Sequence, residues 1–182
     1  MQSQRKIQEI LEKKAQEIIE IEAKYYDMLK HEYLIRSIEI KKIPNFWYAC
    51  LRNHHTLPSV ITKNDWELMS FLEDLTVDEY TSRNHVKTYK ISLEFKPNQY
   101  ITNNLIWATV NTDDLQNYNS SGIDFKEGFS LEFFEDGEEK ESFFRIFLDT
   151  QLKGLINNPG FVFDVINGIR IDLWEDPVKY YE

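Results

Sequence analysis

Cysteine is nearly absent: Cys50 stands alone among 182 residues. No disulfide can form within this sequence and no zinc cage can be built from paired thiolates, which fits a reducing compartment. Cys50 itself reads as a small core residue in preference to a reactive thiol. Glycine and proline are also scarce, at six and five residues, and neither type occurs between Ser3 and Ile40. That stretch has nothing to stop a helix. No run approaches the roughly 20 apolar residues a membrane helix requires, and Met1–Ile10 mixes charged with apolar residues where a signal peptide would carry its apolar centre. The expectation is a soluble, intracellular protein that meets no membrane.

Cations are in deficit. Lys and Arg number 21 against 31 Asp and Glu, a net charge of −10. The deficit is local: residues 1–42 carry 9 basic and 8 acidic side chains, residues 43–110 carry 6 and 7, and residues 111–182 carry 6 and 16. A field concentrated in the last segment repels nucleic acid and attracts basic partners, although an acidic face kept for solubility would look the same in composition. Disorder is excluded by the apolar content, with 42% hydrophobic and 14% aromatic residues, enough to form a core.

The first segment predicts one long helix. Ile7, Leu11, Ile18, Ile21, Tyr25, Met28 and Ile35 recur in steps of three and four, with Lys14 and Glu32 interrupting the seam and Ile10 and Leu29 widening it. Such a helix would extend roughly 55–60 Å at about 1.5 Å per residue, whereas a compact globule of this size has a radius of gyration of only about 16 Å. It must project, and its apolar stripe needs a cover. A second copy is the simplest one; a helix folded back on its own domain is the alternative.

Pro44 ends or kinks this helix and suits the first turn of the next, in which Phe46, Trp47, Ala49, Cys50 and Leu51 supply a buried face as far as His54. Asn64 and Glu67 have capping-box spacing and predict a short helix over Asp65–Glu73. The period then drops to two. In Val86–Phe95, Tyr89, Ile91, Leu93 and Phe95 alternate with polar residues, which predicts a half-buried antiparallel strand. Val77–Tyr80, Leu105–Val110 and Phe129–Phe134 are further strand candidates, separated by turn-rich Ser82–Asn84, Lys96–Gln99 and Asn117–Gly122. Ser142–Leu148 and Phe161–Ile169 read as helical, with Gly154, Pro159 and Gly160 breaking the chain between them. The fold class is α+β: a long N-terminal dimerisation helix over 1–42, then a domain over 43–182 with an antiparallel sheet covered by helices.

Chemistry-bearing patterns are weak. His54 and His55 are adjacent, so on a helix they would point apart, and no third ligand lies at metal-site spacing; no metal and no cofactor are expected. Asp113 with Asp114, or Asp172 with Asp176, could suggest acid–base catalysis, yet no nucleophile, phosphate loop or zinc motif accompanies them. The aromatic pairs Phe46–Trp47, Phe133–Phe134 and Phe143–Phe144 read as core.

Several motifs together resemble the nucleosome assembly protein family, in particular its SET, or template-activating-factor-like, branch. These are Glu22-x-Lys24-Tyr25 with Arg36-Ser37, then Ile43-Pro44-Asn45-Phe46-Trp47 followed by Asn53-His54. Farther on come Ile123-x-Phe125-Lys126-x-Gly128, Glu141-Ser142-Phe143-Phe144 and the closing Asp172-Leu173-Trp174-x-x-Pro177-x-x-Tyr180-Tyr181. The resemblance implies a headphone-shaped homodimer with paired long helices and an α/β "earmuff" at each end. It implies a histone chaperone with no catalytic residues, nuclear residence with shuttling to the cytoplasm, and core histones as partners, whether the tetramer-forming pair, the dimer-forming pair or both. Two departures stand out: the basic hairpin expected before Glu141 is nearly absent, replaced by Glu135-Asp136-Gly137-Glu138-Glu139, and the sequence reads only to Glu182, so that a long acidic tail of the family's kind would have to lie beyond it. Histone binding would then rest on the domain's acids. The candidates are Glu135, Asp136, Glu138 and Glu139 in the loop, and Asp149, Asp164, Asp172, Glu175 and Asp176 near the closing helices. The seam from Ile7 to Ile35 would form the dimer. Two rival readings are an acidic adaptor or inhibitor of a signalling enzyme such as a protein phosphatase, which the SET branch also suggests, and an enzyme whose site is not recognisable from spacing.

Overall fold

The computed structural model describes residues 2–81, 87–111, 119–135, 141–148 and 159–181. Helix α1 spans Gln2–Ile40, 39 residues without interruption, as the lack of glycine and proline requires. It carries two apolar stripes. The seam residues Ile7, Leu11, Ile18, Ile21, Tyr25, Met28 and Ile35 are each between 42% and 60% exposed. A neighbouring stripe, Tyr26, Tyr33 and Ile40, recurs every seven residues and turns towards the domain; of all α1 only Ile40 is fully buried.

Short helices α2 (Phe46–Asn53), α3 (Leu57–Val60) and α4 (Lys63–Met69) follow. Pro44 lies ahead of α2, not in its first turn, because Asn45 takes a left-handed conformation with φ 56° and turns the chain between the two helices. Strands β1 (Leu72–Thr81), β2 (Lys87–Phe95), β3 (Leu105–Asn111) and β4 (Asn119–Ser120) form an antiparallel sheet in sequence order. The register aligns Leu75 with Leu93 and Ile106, and Val77 with Ile91 and Ala108. These rows are buried, which confirms the period-two reading of β2. The covering layer consists of α5 (Leu131–Phe134), a 3-10 turn at Phe143–Phe147, α6 (Pro159–Asn167), a π-helical turn at Gly168–Leu173, and α7 (Val178–Tyr181).

Four local expectations are corrected. Phe129–Phe134 contains the helical turn α5, not a strand. Its aromatic rings pack in perpendicular pairs, Phe129 on Phe133 at 5.1 Å and Phe133 on Phe134 at 5.1 Å, a contact that the side-to-side alternation of a strand would break. The fourth strand is instead Asn119–Ser120, within a predicted turn. The Asn119 amide donates to Thr109 Oγ1 at 3.1 Å, and the Ser120 hydroxyl donates to the Leu148 carbonyl. Pro159 and Gly160 open α6 instead of separating helices, since proline is tolerated where the amide has no helical partner. Helix α4 starts and ends earlier than expected, and residues 72 and 73 belong to β1. Its cap is Thr62, whose hydroxyl accepts from the Asp65 amide at 3.0 Å while Asp65 Oδ2 accepts from the Thr62 amide at 2.9 Å. Asn64 serves another purpose, donating to the Phe133 carbonyl at 2.6 Å.

Asp65 ties distant parts of the chain together. Its carboxylate also accepts from the Ser142 hydroxyl at 2.6 Å and the Phe143 amide at 2.9 Å. Burial pushes this acid up to about 6, with the hydroxyl and amide donors pulling it back. Asp65→Ala removes the cap and strands several buried donors, so at pH 7 we expect a loss on the order of 3 kcal/mol. A shift in the urea midpoint at unchanged m-value measures it; a change below about 0.5 kcal/mol would contradict the assignment.

Candidate functional site

The predicted histone-binding acids separate into three groups. Glu135 follows α5 and is not a free acid: Arg145 Nε donates to its Oε1 at 2.8 Å, and both side chains are mostly buried. Asp136, Glu138, Glu139 and Asp149 lie outside the described residues. Asp164, Asp172, Glu175 and Asp176 lie on consecutive elements, α6, the π-helical turn and the turn before α7; Asp164 and Asp172 border one pocket while Glu175 faces a cleft beside α1, Asp164, Glu175 and Asp176 are exposed, and the Asp172 side chain retains 35% of its surface. The seam residues of α1 line one side of a helix whose first six turns touch the domain little.

What positions these acids is an aromatic junction that no local pattern announces. The Arg36 guanidinium sits 4.7 Å from the centroids of both Tyr33 and Trp174. Trp174 stacks on Trp47 at 6.4 Å, and Phe46 on Tyr181 at 4.8 Å. The closing segment is thereby clamped against α1 and α2 at once. On the sheet side, Lys41 Nζ lies 3.1 Å from both Asp74 and Glu94, while Trp47 Nε1 donates to Asp74 at 3.1 Å, so the buried Asp74 carboxylate is fully partnered. Cys50 is buried beneath, and burial pushes its thiol up to about 12, the state of an inert core residue.

A pocket of about 290 Å³ opens between α3 and the α6–π-helical segment, bordered by His55, Leu57, Val60, Phe163, Asp164 and Asp172. Gly168 allows the close approach: a Cβ there would lie 2.9 Å from Leu57 Cδ2. The two histidines do not point apart, because α2 ends at Asn53 and both lie beyond it. Their rings stack at 4.3 Å, and with Asp172 they form a cluster whose ligating atoms lie within 4.8 Å. Geometry alone would admit a metal. The hydrogen bonds argue otherwise, since His54 Nδ1 accepts from the amides of Thr56 and Leu57, each at 3.2 Å. The proton is therefore assigned to Nε2, which donates to Asp172 Oδ2 at 3.2 Å. A metal at Nε2 would move that proton to Nδ1 and leave both amides without their acceptor. His54 is thus the orienting donor for Asp172. Nor is the pocket arranged like an activated serine, because Ser59 Oγ donates to the Thr56 carbonyl at 2.7 Å.

A second cleft, about 250 Å³, lies between α1 and the sheet beside Tyr25, Tyr26 and Tyr89. Within it Lys87 reaches Glu22 at 2.6 Å and Glu79 at 3.5 Å, Arg170 lies 4.4 Å over Tyr89, and Glu175 stands at its border.

With this architecture in view, the chain matches the family model "Nucleosome assembly protein (NAP)" over residues 1–132. It is 30% identical to NAP1-related protein 2 of Oryza sativa subsp. indica, covering 98% of this chain and 73% of that protein. It is 28% identical to Protein SET of Drosophila melanogaster, over 98% of this chain and 70% of that one. Among solved structures it is similar to nucleosome assembly protein S from Plasmodium falciparum, with a TM-score of 0.73 and 26% identity over 98% of this chain and 95% of that chain. The chain belongs to the nucleosome assembly protein family, and its relatives include members of the SET branch.

Burial is the main cause holding His54 below the ordinary imidazole range, the neighbouring His55 adds to it, and Asp172 opposes. The unfolded chain therefore takes a proton at this position before the folded one does. His54's contribution to stability is full above about pH 6.5 and is lost as pH falls from there towards the folded value. His54→Asn keeps an acceptor near the two amides but removes the titration. Chemical unfolding at pH 7 and pH 5 is expected to show a smaller loss of stability on acidification for this variant than for the unmodified protein, and equal losses would remove His54 from the account.

Proposed function

We propose that the protein is a histone chaperone that acts as a homodimer and binds, without turnover, the basic surfaces of core histones in the nucleus. Nucleosomes are built from DNA and basic histones, so a member of a nucleosome assembly family must meet strongly cationic surfaces. The observation that carries the reading is the placement of Asp164, Asp172, Glu175 and Asp176 on one short segment, three of them exposed and the fourth partly so. Charge-assisted contacts from Lys and Arg to such a patch are individually weak and collectively selective. Membership of the family and the concentration of negative charge in residues 111–182 support it. Pairing through α1 is supported by the seven exposed seam residues, a stripe that water alone would leave prone to aggregation.

Two variants test the parts separately. Asp172→Asn, Glu175→Gln and Asp176→Asn combined, with Glu135 left intact to keep Arg145 paired, are expected to weaken binding of a core-histone complex roughly tenfold at moderate salt, with little change in the thermal midpoint. Unchanged affinity takes these acids out of the interface. Ile18→Glu with Ile21→Glu places like charges on the seam and should halve the mass in solution; a native mass would place the pairing elsewhere.

A further inference from the structure

The pocket between α3 and the α6–π-helical segment is more specific than an acidic surface. Asp172 is held from behind by a buried histidine whose own tautomer is fixed by two backbone amides. Its carboxylate is therefore oriented before any ligand arrives, and with Oδ2 committed to His54, Oδ1 has no partner among the described residues. Asp164 is exposed at the same pocket and has no hydrogen bond or ion pair among the described residues. Leu57 and Val60 contribute apolar surface. Two flat rings border it: Phe163, 53% exposed, and His55, whose imidazole stacks on His54. The π-helical turn that carries Asp172 is a rare backbone form, found often at binding sites.

Resting on the histone-binding reading, we propose that this pocket receives one arginine side chain of the basic partner. A guanidinium offers forked N–H donors to the Asp172 carboxylate, whose Oδ2 has His54 and, at 3.8 Å, His55 beside it, a positive charge to Asp164 on the same pocket, and a flat cation for the exposed face of Phe163, while its aliphatic stem can lie along Leu57 and Val60. A lysine ammonium satisfies the charge and can lie over a ring, as Lys90 does over Trp107, but it has no planar fork and cannot stack flat on an aromatic face. The pocket thus gives the acidic surface a preference for arginine over lysine at one position, and so a way to fix the orientation of a partner that the field alone would only attract.

The test uses the full chain and two synthetic decapeptides identical except that the cationic positions are all arginine in one and all lysine in the other. Their dissociation constants are measured at moderate salt for the unmodified protein, for Asp164→Asn with Asp172→Asn, and for His55→Ala. A core-histone complex is titrated in parallel. The expected result is at least a fivefold preference for the arginine peptide in the unmodified protein. It should collapse to near unity in the double variant and fall in His55→Ala, with unfolding midpoints confirming that both variants are folded. Equal affinity for the two peptides, or a preference that survives the double substitution, overturns the pocket even when the histone complex still binds. Failure of the unmodified protein to bind the histone complex instead overturns the reading on which the pocket rests.

Discussion

The stack of Tyr33, Arg36 and Trp174 is the contact on which the arrangement depends. A helix of 39 residues projecting from a domain needs a rigid joint, or the domain's acidic face has no fixed direction relative to the helix. The joint is made of rings around a guanidinium: Arg36 Nε and Nη2 have no hydrogen-bond acceptor among the described residues, and only Nη1 reaches one, the Glu175 carbonyl at 3.3 Å. Burial accordingly pulls the Arg36 guanidinium below its ordinary value. The cost of that desolvation is offset by two aromatic faces, each worth about 1 kcal/mol or more when water is excluded. Because Trp174 follows Asp172 by two residues and precedes Glu175, fixing the ring fixes the acids on both sides of it.

From that joint the rest follows by packing. Helix α2 brings Phe46 and Trp47 to the closing segment, Asp74 is held between Lys41 and Trp47, and the sheet fixes its buried face through the aligned rows on β1, β2 and β3. The outcome is an exposed apolar seam on α1, of which Tyr25 borders the cleft beside the sheet, and an acidic segment presented by the domain.

Much of this was legible in the sequence, and the exceptions have physical causes. The limits of α1 and the alternation of β2 are written in local periodicity, which tertiary contacts had only to respect. The order of helices, then strands, then helices was likewise readable from the change of period along the chain. Misread elements were decided at long range. Two overlapping capping patterns, Thr62 with Asp65 and Asn64 with Glu67, compete at α4. The first prevails because Asp65 also meets Ser142 and Phe143, while Asn64 meets the Phe133 carbonyl. The run ending Phe133–Phe134 has no period to separate strand from helical turn, and β4 is too short to have one. The pocket was invisible because its walls, residues 55–60 and 163–172, are more than 100 positions apart, and because the pairing of His54 with Asp172 has no spacing signature. Net charge showed which third of the chain is acidic; only the fold showed that Glu135 is spent on Arg145 while Asp164, Asp172, Glu175 and Asp176 remain available.

The most direct test of the central claim is the light-scattering mass of the protein alone and with each purified core-histone complex at moderate salt, with an unrelated lysine-rich protein as control. The account predicts twice the mass of the 21.8 kDa chain alone, a discrete complex with at least one histone pair, and no discrete complex with the control. A monomer, or equal binding to every basic protein, would contradict it.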